Sequence, residues 1–457
     1  MFSRRFTRER RRVAELNSAS GEASAARVGT RPGVSVRRIP GLSLLGTRGA
    51  VASRLAWRGL CTLLLRLLPA RRHAVIHGWP DDEGNAVEVV RALRRRYRGT
   101  IYWLLTDMDY AGPDFAAAEL ADSERVIRVQ RDSRRAVPLA LSAEVTFFTH
   151  GLFTAVAPPA NRLVVNLWHG DGPKLAAGTN HIRSTVVVAG TRLWGRQRQQ
   201  RFALPESAVA VVGNPRVDQF HATPAADVLG RLGLDCGKRT VLWLPTYRAA
   251  SGPHGRDWRE ADDLSSNADA AQIVGALMTA SAAHSLQLLI KPHPLDADSY
   301  ESLGVATLHH AALNAAGVTL YQLLGAVDAV ISDVSSVWVD YLALDRPIGF
   351  YAPDLEDLQR RGKLNVEDAA ALLPGLRIRT ADDAVRFIET VANAPDTARP
   401  SRFPGAAKIG AVSEPGVADR LLDWLDEFQH NRGRDMLFRG NEGKAEQAGS
   451  GAKVVHA

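Results

Sequence analysis

Short apolar runs alternate with helical patterns from residue 73 to about residue 430. The runs fit strands that are buried on both faces, and the segments between them repeat apolar residues at helical spacing. This alternation predicts an α/β fold. The predicted strands are 74–76, 100–105, 125–129, 145–149, 162–167, 186–189 and 209–212 in a first block, and 240–244, 286–290, 329–331 and 348–351 in a second. The clearest predicted helices are 85–97, 268–285 and 421–428.

The two blocks predict two domains, at residues 73–225 and 226–430. Residues 1–72 form a separate basic arm, and residues 1–40 of this arm are rich in Arg, Ser, Gly and Ala. Such a composition predicts disorder. Residues 431–457 are predicted to be a disordered polar tail.

The segment 329–354 predicts a β-α-β unit. Its first strand is followed by Asp333, Ser335 and Ser336, whose side-chain oxygens can cap a helix. Apolar residues then recur at helical spacing, and 348–351 follows as the next strand. Free N–H groups and the helix dipole make such a helix start an anion site. A capped helix in any α/β protein gives the same pattern, so this segment alone leaves both interpretations open.

The formal net charge of +8 is unevenly distributed. Residues 1–72 hold sixteen arginines and three acids and so carry +13, which leaves about −5 for the rest of the chain. The folded body therefore has no basic excess for nucleic acid, and no nucleic-acid partner is predicted. Cys61 and Cys236 are too far apart in sequence to indicate a disulfide framework or a metal site, and they suggest a reducing, cytoplasmic setting.

Residues 48–68 predict an amphipathic helix. In a helix, their four arginines fall within about one third of the circumference, and leucines dominate the remainder. The segment is too short and too charged to span a bilayer, but it suits a helix in the interface of an anionic membrane. A surface helix packed on its own domain is the alternative. The membrane interpretation predicts a peripheral, monotopic protein at the cytoplasmic face of the cell membrane.

Two loops of the first block contain candidate catalytic or ligand-binding residues. The loop 167–174 follows a predicted strand and contains His169, which can act as a general base near neutral pH. A structural histidine is the commoner alternative. Asp171 could orient His169 or raise its pKa, or it could be an exposed loop acid. The loop 213–218 contains Arg216, for which a turn with a surface ion pair is the simpler interpretation.

The second block offers cations at two strand ends. Thr246 and Arg248 follow one strand, and Lys291 and His293 follow another. Ligands of open α/β sheets bind at the carboxyl ends of the strands, so we expect these side chains and the serines of the segment 329–354 to converge on a pyrophosphate. The sequence contains no P-loop and no His/Cys metal cluster, so no metal or other cofactor is predicted.

Six segments, taken in order, resemble the motifs of the CDP-glycerol glycerophosphotransferases of teichoic acid synthesis. They read Trp-His-Gly, Gly-Asn-Pro-Arg-Val-Asp, Pro-Thr-Tyr-Arg, Lys-Pro-His-Pro, Ser-Asp-Val-Ser-Ser and Arg-Pro-Ile-Gly-Phe-Tyr. Their positions are 168–170, 213–218, 245–248, 291–294, 332–336 and 346–351. The resemblance covers roughly residues 73–430. Each motif alone is weak, and the ordered set is specific.

The resemblance implies a GT-B-type fold, in which two Rossmann-like domains face a cleft and the C-terminal one binds the donor. It also implies monotopic membrane association, His169 as the base, and His293, Ser335 and Ser336 as ligands of the donor phosphates. The predicted catalytic residues are His169, Asp171 and His293. The predicted donor-binding residues are Arg216, Thr246, Arg248, Lys291, His293, Asp333, Ser335 and Ser336.

The chain departs from the family pattern in two places. The family usually continues Trp-His-Gly with Thr-Pro-Leu-Lys, whereas residues 171–174 read Asp-Gly-Pro-Lys. After Arg361-Gly362 the family usually has aromatic residues, whereas this chain has Lys363 and Leu364. Because of these departures, the family pattern does not identify the acceptor of this chain or the alditol of its donor.

The predicted function is transfer of an alditol phosphate from CDP-glycerol or CDP-ribitol to a hydroxyl of a membrane-linked glycan or polymer, with release of CMP. One alternative is a GT-B glycosyltransferase that uses a nucleotide sugar and attacks its anomeric carbon. Another is a membrane-bound module that binds polymer without catalysis. Release of CMP separates the first interpretation from both alternatives.

Overall fold

The structure is a computed structural model that describes residues 47–109, 124–152, 158–159, 161–175, 183–245, 268–292 and 304–438. The strands in these ranges are β1 (Arg71–His77), β2 (Thr100–Leu105), β3 (Val126–Gln130), β4 (Ala143–Phe148), β5 (Leu163–Asn166), β6 (Val186–Ala189), β7 (Val209–Val211), β8 (Thr240–Trp243), β9 (Gln287–Ile290), β10 (Ala306–Thr307), β11 (Ala329–Ser332), β12 (Ile348–Phe350) and β13 (Leu376–Arg377). The α-helices are α1 (Thr47–Leu67), α2 (Gly84–Arg96), α3 (Ala136–Ser142), α4 (Arg192–Phe202), α5 (Ala225–Arg231), α6 (Ala268–Ala283), α7 (His310–Ala315), α8 (Leu320–Ala326), α9 (Val337–Tyr341), α10 (Leu355–Arg360), α11 (Ala369–Leu372), α12 (Ala381–Asn393), α13 (Pro404–Ile409) and α14 (Val417–His430).

The strands form two parallel sheets, which confirms the predicted α/β fold. The first has the order β3-β2-β1-β4-β5-β6-β7 and the second the order β10-β9-β8-β11-β12-β13. Every residue of β5, β6, β8, β9 and β11 is buried, because helices cover both faces of the sheets. Full burial explains why these strands were readable as apolar runs. The two-residue strands β10 and β13 are too short to leave such a pattern.

The helix α14 packs on the first sheet, although the sequence placed it in the second domain. Leu421, Leu422 and Leu425 are fully buried in the core of the first sheet. Asp218 caps the helix by accepting the N–H groups of Val417 at 2.8 Å and Ala418 at 2.9 Å. The predicted domain 226–430 is therefore wrong for this helix. Helical periodicity shows that a helix has a buried face but not which sheet covers it.

The first part of the predicted tail is also ordered. Phe438 is fully buried beside Tyr97 and Phe147, and its N–H donates to Asp426 at 3.1 Å. The prediction of a disordered tail is therefore wrong for residues 431–438. The remainder of that prediction, 439–457, lies outside the described residues, as do residues 1–46 of the arm.

The helix α1 packs on its own domain through one face and exposes an apolar face. Cys61 and Leu65 are buried against Leu141 of α3, and the guanidinium of Arg162 donates to the carbonyl of Leu68 just beyond the helix. The exposed large side chains are Leu55, Trp57, Leu60, Leu63 and Leu67. Within the described ranges, no helix has the length and apolarity needed to cross a membrane.

Candidate active site

The ring of His169, just after β5, lies between two other rings. It is parallel to the ring of His150 at a centroid distance of 4.3 Å and stacks on the indole of Trp168 at the same distance. Trp168 has φ of 60°, a left-handed conformation that turns the chain sharply after the strand. The Nδ1 atom of His169 is buried and has no hydrogen-bond partner among the described residues.

The surroundings of His169 keep its imidazole neutral. Burial lowers its pKa to about 3, and the nearby groups of His150, Arg198 and Arg216 act in the same direction. A neutral imidazole can accept a proton. Anionic phosphates bound beside it would raise the pKa, because negative charge favours the imidazolium. The site therefore suits a base whose proton affinity rises when an anionic substrate binds.

Asp171 is buried and paired, so the alternative of an exposed loop acid is wrong. The guanidinium of Arg198 donates to Oδ1, and the hydroxyl of Thr191 donates to Oδ2 at 3.1 Å. Burial raises the pKa of Asp171, and the attraction of Arg198 opposes that change. These contacts join the loop after β5 to α4. Asp171 thus supports the loop that carries His169 and makes its hydrogen bonds with Arg198 and Thr191 rather than with the imidazole.

Arg216 links the two domains. Its Nη2 and Nε atoms donate to Oδ2 of Asp340 at 2.6 Å and 3.0 Å, and its Nη1 atom donates to the carbonyl of His169 at 3.0 Å. Glu83 lies 3.4 Å away, and the guanidinium is over the ring of Tyr321. The predicted surface ion pair is therefore a buried one. Arg216 thus links the domains, and its role as a phosphate ligand stays a prediction.

Two glycines bring the loop of His169 against the start of α9. A Cβ atom on Gly172 would lie 3.1 Å from Cα of Ser336, and one on Gly170 would lie 3.0 Å from its Oγ. Both distances are shorter than ordinary van der Waals contact, so the approach requires glycine. The loop that carries the candidate base and the helix start predicted to bind phosphate are therefore in contact across the cleft.

In the turn before α9, the side chains of Asp333 and Ser335 already accept N–H groups of the turn itself. The carboxylate of Asp333 is buried and accepts the N–H of Ser335 at 2.9 Å, and the hydroxyl of Ser335 accepts the N–H of Val337 at 3.4 Å. Asp333 therefore shapes the turn through this hydrogen bond, and its contact with the donor stays a prediction. Ser336 lines the cavity described next and is the residue of this turn best placed for a ligand.

A cavity of about 690 Å³, which we call the first cavity, opens beside His169. Its walls come from the loop after β5, from α4, and from the residues Ser336 and Asn365 of the second domain. The side-chain amide of Asn365 donates to the carbonyls of Gly172 at 2.9 Å and Lys174 at 3.1 Å. The outer wall is therefore a direct contact between the domains.

A second cavity, of about 220 Å³, lies on the other side of the cleft. It contains Lys291 with Asp82, Glu83, His310 and Tyr321. Burial lowers the pKa of Lys291 to about 8, against the attraction of Asp82. Burial also raises the pKa of Glu83 to about 7. Among the described residues, Lys291 and Ser336 line different cavities, so the predicted convergence on one pyrophosphate is not seen.

Three predicted site residues lie outside the described part of the chain, namely Thr246, Arg248 and His293. They follow β8 and β9 in sequence, and their roles remain predictions. Within the described ranges there is no cluster of three or more His, Cys, Asp or Glu side chains that could hold a metal ion.

The profile of the family described as CDP-Glycerol:Poly(glycerophosphate) glycerophosphotransferase matches residues 78–425. This chain belongs to that family. The match confirms the family resemblance found in the sequence.

Among relatives of this chain, the teichoic acid ribitol-phosphate primase of Bacillus spizizenii strain W23 is 31% identical over 240 residues. The match covers 50% of this chain and 56% of the primase, so the chain spans about half the length of that relative. The structure of the wall teichoic acid polymerase TagF has a TM-score of 0.60 and 14% identity, covering 84% of this chain and 95% of the polymerase chain. A TagF variant soaked with CDPG has a TM-score of 0.58 at the same identity and coverage. This likeness confirms the predicted GT-B-type fold.

Several residues of the candidate site were missed in the sequence. His150 follows β4 as His169 follows β5, and each precedes a glycine, so the repeated His-Gly pair was an available signal. Asp340 and Asn365 gave no such signal, because their partners lie in the other domain. Their roles depend on contacts that only the folded chain creates.

Proposed function

We propose that this protein transfers an alditol phosphate from a CDP-activated donor, CDP-glycerol or CDP-ribitol, to a hydroxyl of a membrane-linked glycan or polymer. The acceptor oxygen attacks the phosphorus that carries the alditol. The bond between that phosphorus and the bridging oxygen breaks, and CMP leaves with the bridging oxygen. The proton of the acceptor hydroxyl passes to the imidazole of His169. Family membership supports this reaction class, and the TagF variant soaked with CDPG supports a CDP-activated donor.

The observation that carries the proposal is the contact between the loop of His169 and Ser336. A phosphoryl transfer enzyme must place a base and a site for phosphate charge around one phosphorus atom. Gly170 and Gly172 allow His169 and the start of α9 to approach each other across the cleft. Lys291, Arg248 and His293 are the cations that we propose for the charge on the donor and on the leaving CMP.

We also propose that the exposed face of α1 binds an anionic membrane surface. Five large apolar side chains of this helix are exposed, and Trp57 and Leu60 are each nearly half exposed. Burial of such side chains in a lipid interface is favourable, and the arginines of the helix add attraction to anionic lipids. This position would bring the cleft to an acceptor held in the membrane at the cytoplasmic face.

The proposed reaction is tested by replacing His169 with alanine. A general base typically contributes about 10²–10⁴-fold to the rate, so CMP release by His169→Ala should fall on that scale. The affinity for CDP-glycerol should stay near that of the wild type, because the base acts on the acceptor hydroxyl. CMP release can be followed by chromatography and donor affinity by calorimetry.

The exposed His221 provides the matched control, and His221→Ala should behave like the wild type. A purely structural His169 predicts the opposite pair of results, namely a lower melting temperature with unchanged activity per folded molecule. Release of a nucleoside diphosphate in place of CMP would instead favour a glycosyltransferase.

A further inference from the structure

We propose that His150 is a positioning residue for the candidate base, and that its ring holds the imidazole of His169 in the orientation in which it meets the acceptor hydroxyl. This inference rests on the proposed transfer reaction and adds a residue to it. In this role His150 acts through His169 and does not touch the substrate.

The two histidines meet because they follow neighbouring strands of the first sheet. The strands β4 and β5 are adjacent and parallel, and Phe148 of β4 lies opposite Asn166 of β5. The hydrogen bonding continues past the strand ends, since the N–H of Leu167 donates to the carbonyl of Phe148 at 2.8 Å. His150 and His169 therefore follow the same edge of the sheet, side by side at the carboxyl ends of the strands.

The imidazole of His169 is enclosed between two flat faces. Its plane is inclined by 18° to the ring of His150 and by 30° to the indole of Trp168, and both centroid distances are 4.3 Å. Paired aromatic rings usually have centroids about 4.5–7 Å apart, so both contacts are close. Among the described residues, no side chain forms a hydrogen bond with this imidazole, and Asp171 makes its hydrogen bonds elsewhere. The orientation of the candidate base therefore depends on the rings on either side of it.

His150 is itself anchored by the ends of two strands. Its Nδ1 atom lies 2.9 Å from the hydroxyl oxygen of Thr149, which is fully buried and also accepts the N–H of Trp79 at 3.1 Å. The N–H of Thr149 donates to the carbonyl of His77, the last residue of β1, at 3.2 Å. The indole of Trp79 meets the ring of His150 edge-on at a centroid distance of 5.3 Å. One wall of the stack is therefore fixed by β1 and β4, and the other comes from the loop after β5.

A role in core packing does not account for His150. The residue is exposed, so removal of its ring leaves no cavity in the core of the first sheet. The remaining alternative is a direct hydrogen bond from His150 to the substrate. A phenyl ring separates the two roles, because phenylalanine keeps the stacking face and lacks both nitrogen atoms.

The stack also affects the pH at which His169 can accept a proton. Burial lowers its pKa most, and His150, Arg198 and Arg216 lower it further, while Arg216 and His77 are the charged or titratable groups near His150. Removal of His150 takes away part of the burial and one of the three basic neighbours, so the pKa of His169 should rise toward its ordinary value of about 6.5. A base works only while it is unprotonated. Activity should therefore be lost at a higher pH on acidification.

The experiment compares a variant that loses the ring with one that keeps it. CMP release from CDP-glycerol is measured with a short poly(glycerol phosphate) chain as acceptor for the wild type, His150→Ala and His150→Phe, and the exposed His221→Ala is the control. In His150→Ala, kcat should fall about ten- to a hundredfold, because a displacement of about 1 Å in a catalytic site can cost about a hundredfold. KM for both substrates should stay near the wild-type value, and the acid limb of kcat/KM should move to higher pH.

His150→Phe should restore kcat to within a few-fold of the wild type and return the acid limb toward its wild-type position. A His150→Phe variant as slow as His150→Ala would overturn the proposal and assign the nitrogen atoms of His150 to the substrate. A rise in KM with unchanged kcat would also overturn it, because His150 would then contribute to binding and not to the position of the base.

A double variant tests whether His150 acts through His169. If it does, His150→Ala/His169→Ala should be no slower than His169→Ala alone, because a base that is absent cannot be misplaced. A second fall in rate, by the factor that His150→Ala causes in the wild type, would show that the two histidines act independently. The proposal would then be wrong.

Nuclear magnetic resonance of the protein with 13C-labelled histidine separates this proposal from the proposed reaction. The Cε1–H signal of His169 is identified by its absence in His169→Ala. This signal should shift and titrate at higher pH in His150→Ala, and His150→Phe should reverse both changes. An unchanged signal in His150→Ala overturns the positioning role even if CMP is released. If the wild type releases no CMP, the reaction is wrong and the signal still decides the role of His150.

Melting temperatures show whether each variant is folded. If His150→Ala fails to fold, His150→Leu takes its place, because leucine fills the space of the imidazole without providing a flat ring. The same losses in kcat and the same shift of the His169 signal are then expected. Wild-type behaviour of a folded His150→Leu protein would overturn the proposal.

Discussion

The behaviour of His169 follows from the groups around its ring. Burial, the neighbouring His150 and the guanidinium groups of Arg198 and Arg216 disfavour a positive charge on the imidazole, so it stays neutral until an anion arrives. Burial also lowers the pKa of Lys291, but the consequence differs. Its burial makes the ammonium easier to deprotonate, so its charge is lost within a pH range that an enzyme assay can reach.

The pH dependence of donor use should reveal Lys291. If its ammonium binds a donor phosphate, kcat/KM for CDP-glycerol should fall as the pH rises through about 8, because a lysine with a lowered pKa loses its proton there. Lys291→Arg keeps the positive charge and should remove this alkaline fall. The assay is a series of initial rates from pH 6 to pH 10, with the exposed Lys408→Arg as the control. An alkaline fall that is the same in both variants would exclude Lys291.

Single residues were predictable where their chemistry is local. His169 could be named because it follows an apolar strand and precedes a glycine. Arg216 could not be assigned correctly, because its main partner Asp340 lies 124 residues away in the other domain. The turn hydrogen bond of Asp333 could not be foreseen, since a carboxylate that caps its own turn and one that meets a ligand occur in the same sequence pattern.

At the scale of elements, buried strands were readable and helix partners were not. In the described ranges, the apolar runs located every strand of four or more residues to within about three residues. For β5, β6, β8, β9 and β11 the reason is that full burial on both faces selects apolar side chains. The helix α1 was predicted as either packed or membrane-bound. The structure shows that it packs through Cys61 and Leu65 and leaves its other face exposed, so the packed interpretation is right and the membrane-bound one stays open.

The exposed face of α1 gives a direct test of membrane binding. The double variant Leu60→Gln/Leu63→Gln removes two side chains that are 47% and 53% exposed. Burial of a leucine side chain is worth about 1.5–3 kcal/mol, so binding to anionic vesicles should weaken by about a hundredfold or more. Sedimentation with phosphatidylglycerol vesicles measures this loss.

Point substitutions suit this test better than deletion of residues 1–72, because β1 begins at Arg71 and lies in the interior of the first sheet. Met108→Gln, at a side chain that is 37% exposed elsewhere, is the control. Vesicle binding that survives the double variant would place the membrane contact on another surface.

At the scale of the whole molecule, the cleft is held by a buried ionic network. Asp340 accepts hydrogen bonds from Arg216 and from the hydroxyl of Tyr321 at 2.6 Å, while Asn214 donates to its other oxygen at 2.6 Å. The carbonyl of His169 belongs to the same network through Arg216. The relative position of the domains and the position of the candidate base therefore depend on the same side chains.

Removal of the charge of Asp340 should destabilise the protein strongly. Asp340→Asn leaves the buried guanidinium of Arg216 without its main carboxylate, a change that typically costs about 3–5 kcal/mol. Asp423→Asn makes the same chemical change in an exposed pair with Arg96 and should cost less than about 1 kcal/mol. Urea unfolding of the two variants measures both free energies. Similar small losses would mean that the network contributes little to stability.

Because α14 packs on the first sheet, the second domain is an insertion within the sequence of the first domain. The chain leaves the first domain once, builds the second sheet, and comes back to a helix that Asp218 caps. A chimera that exchanges the second domain between relatives must therefore be spliced at two points, one before α5 and one before Val417. A single junction would replace α14 of the first domain with the corresponding helix of the relative. That helix is shaped to pack on the first domain of the relative and not on the first domain of this chain.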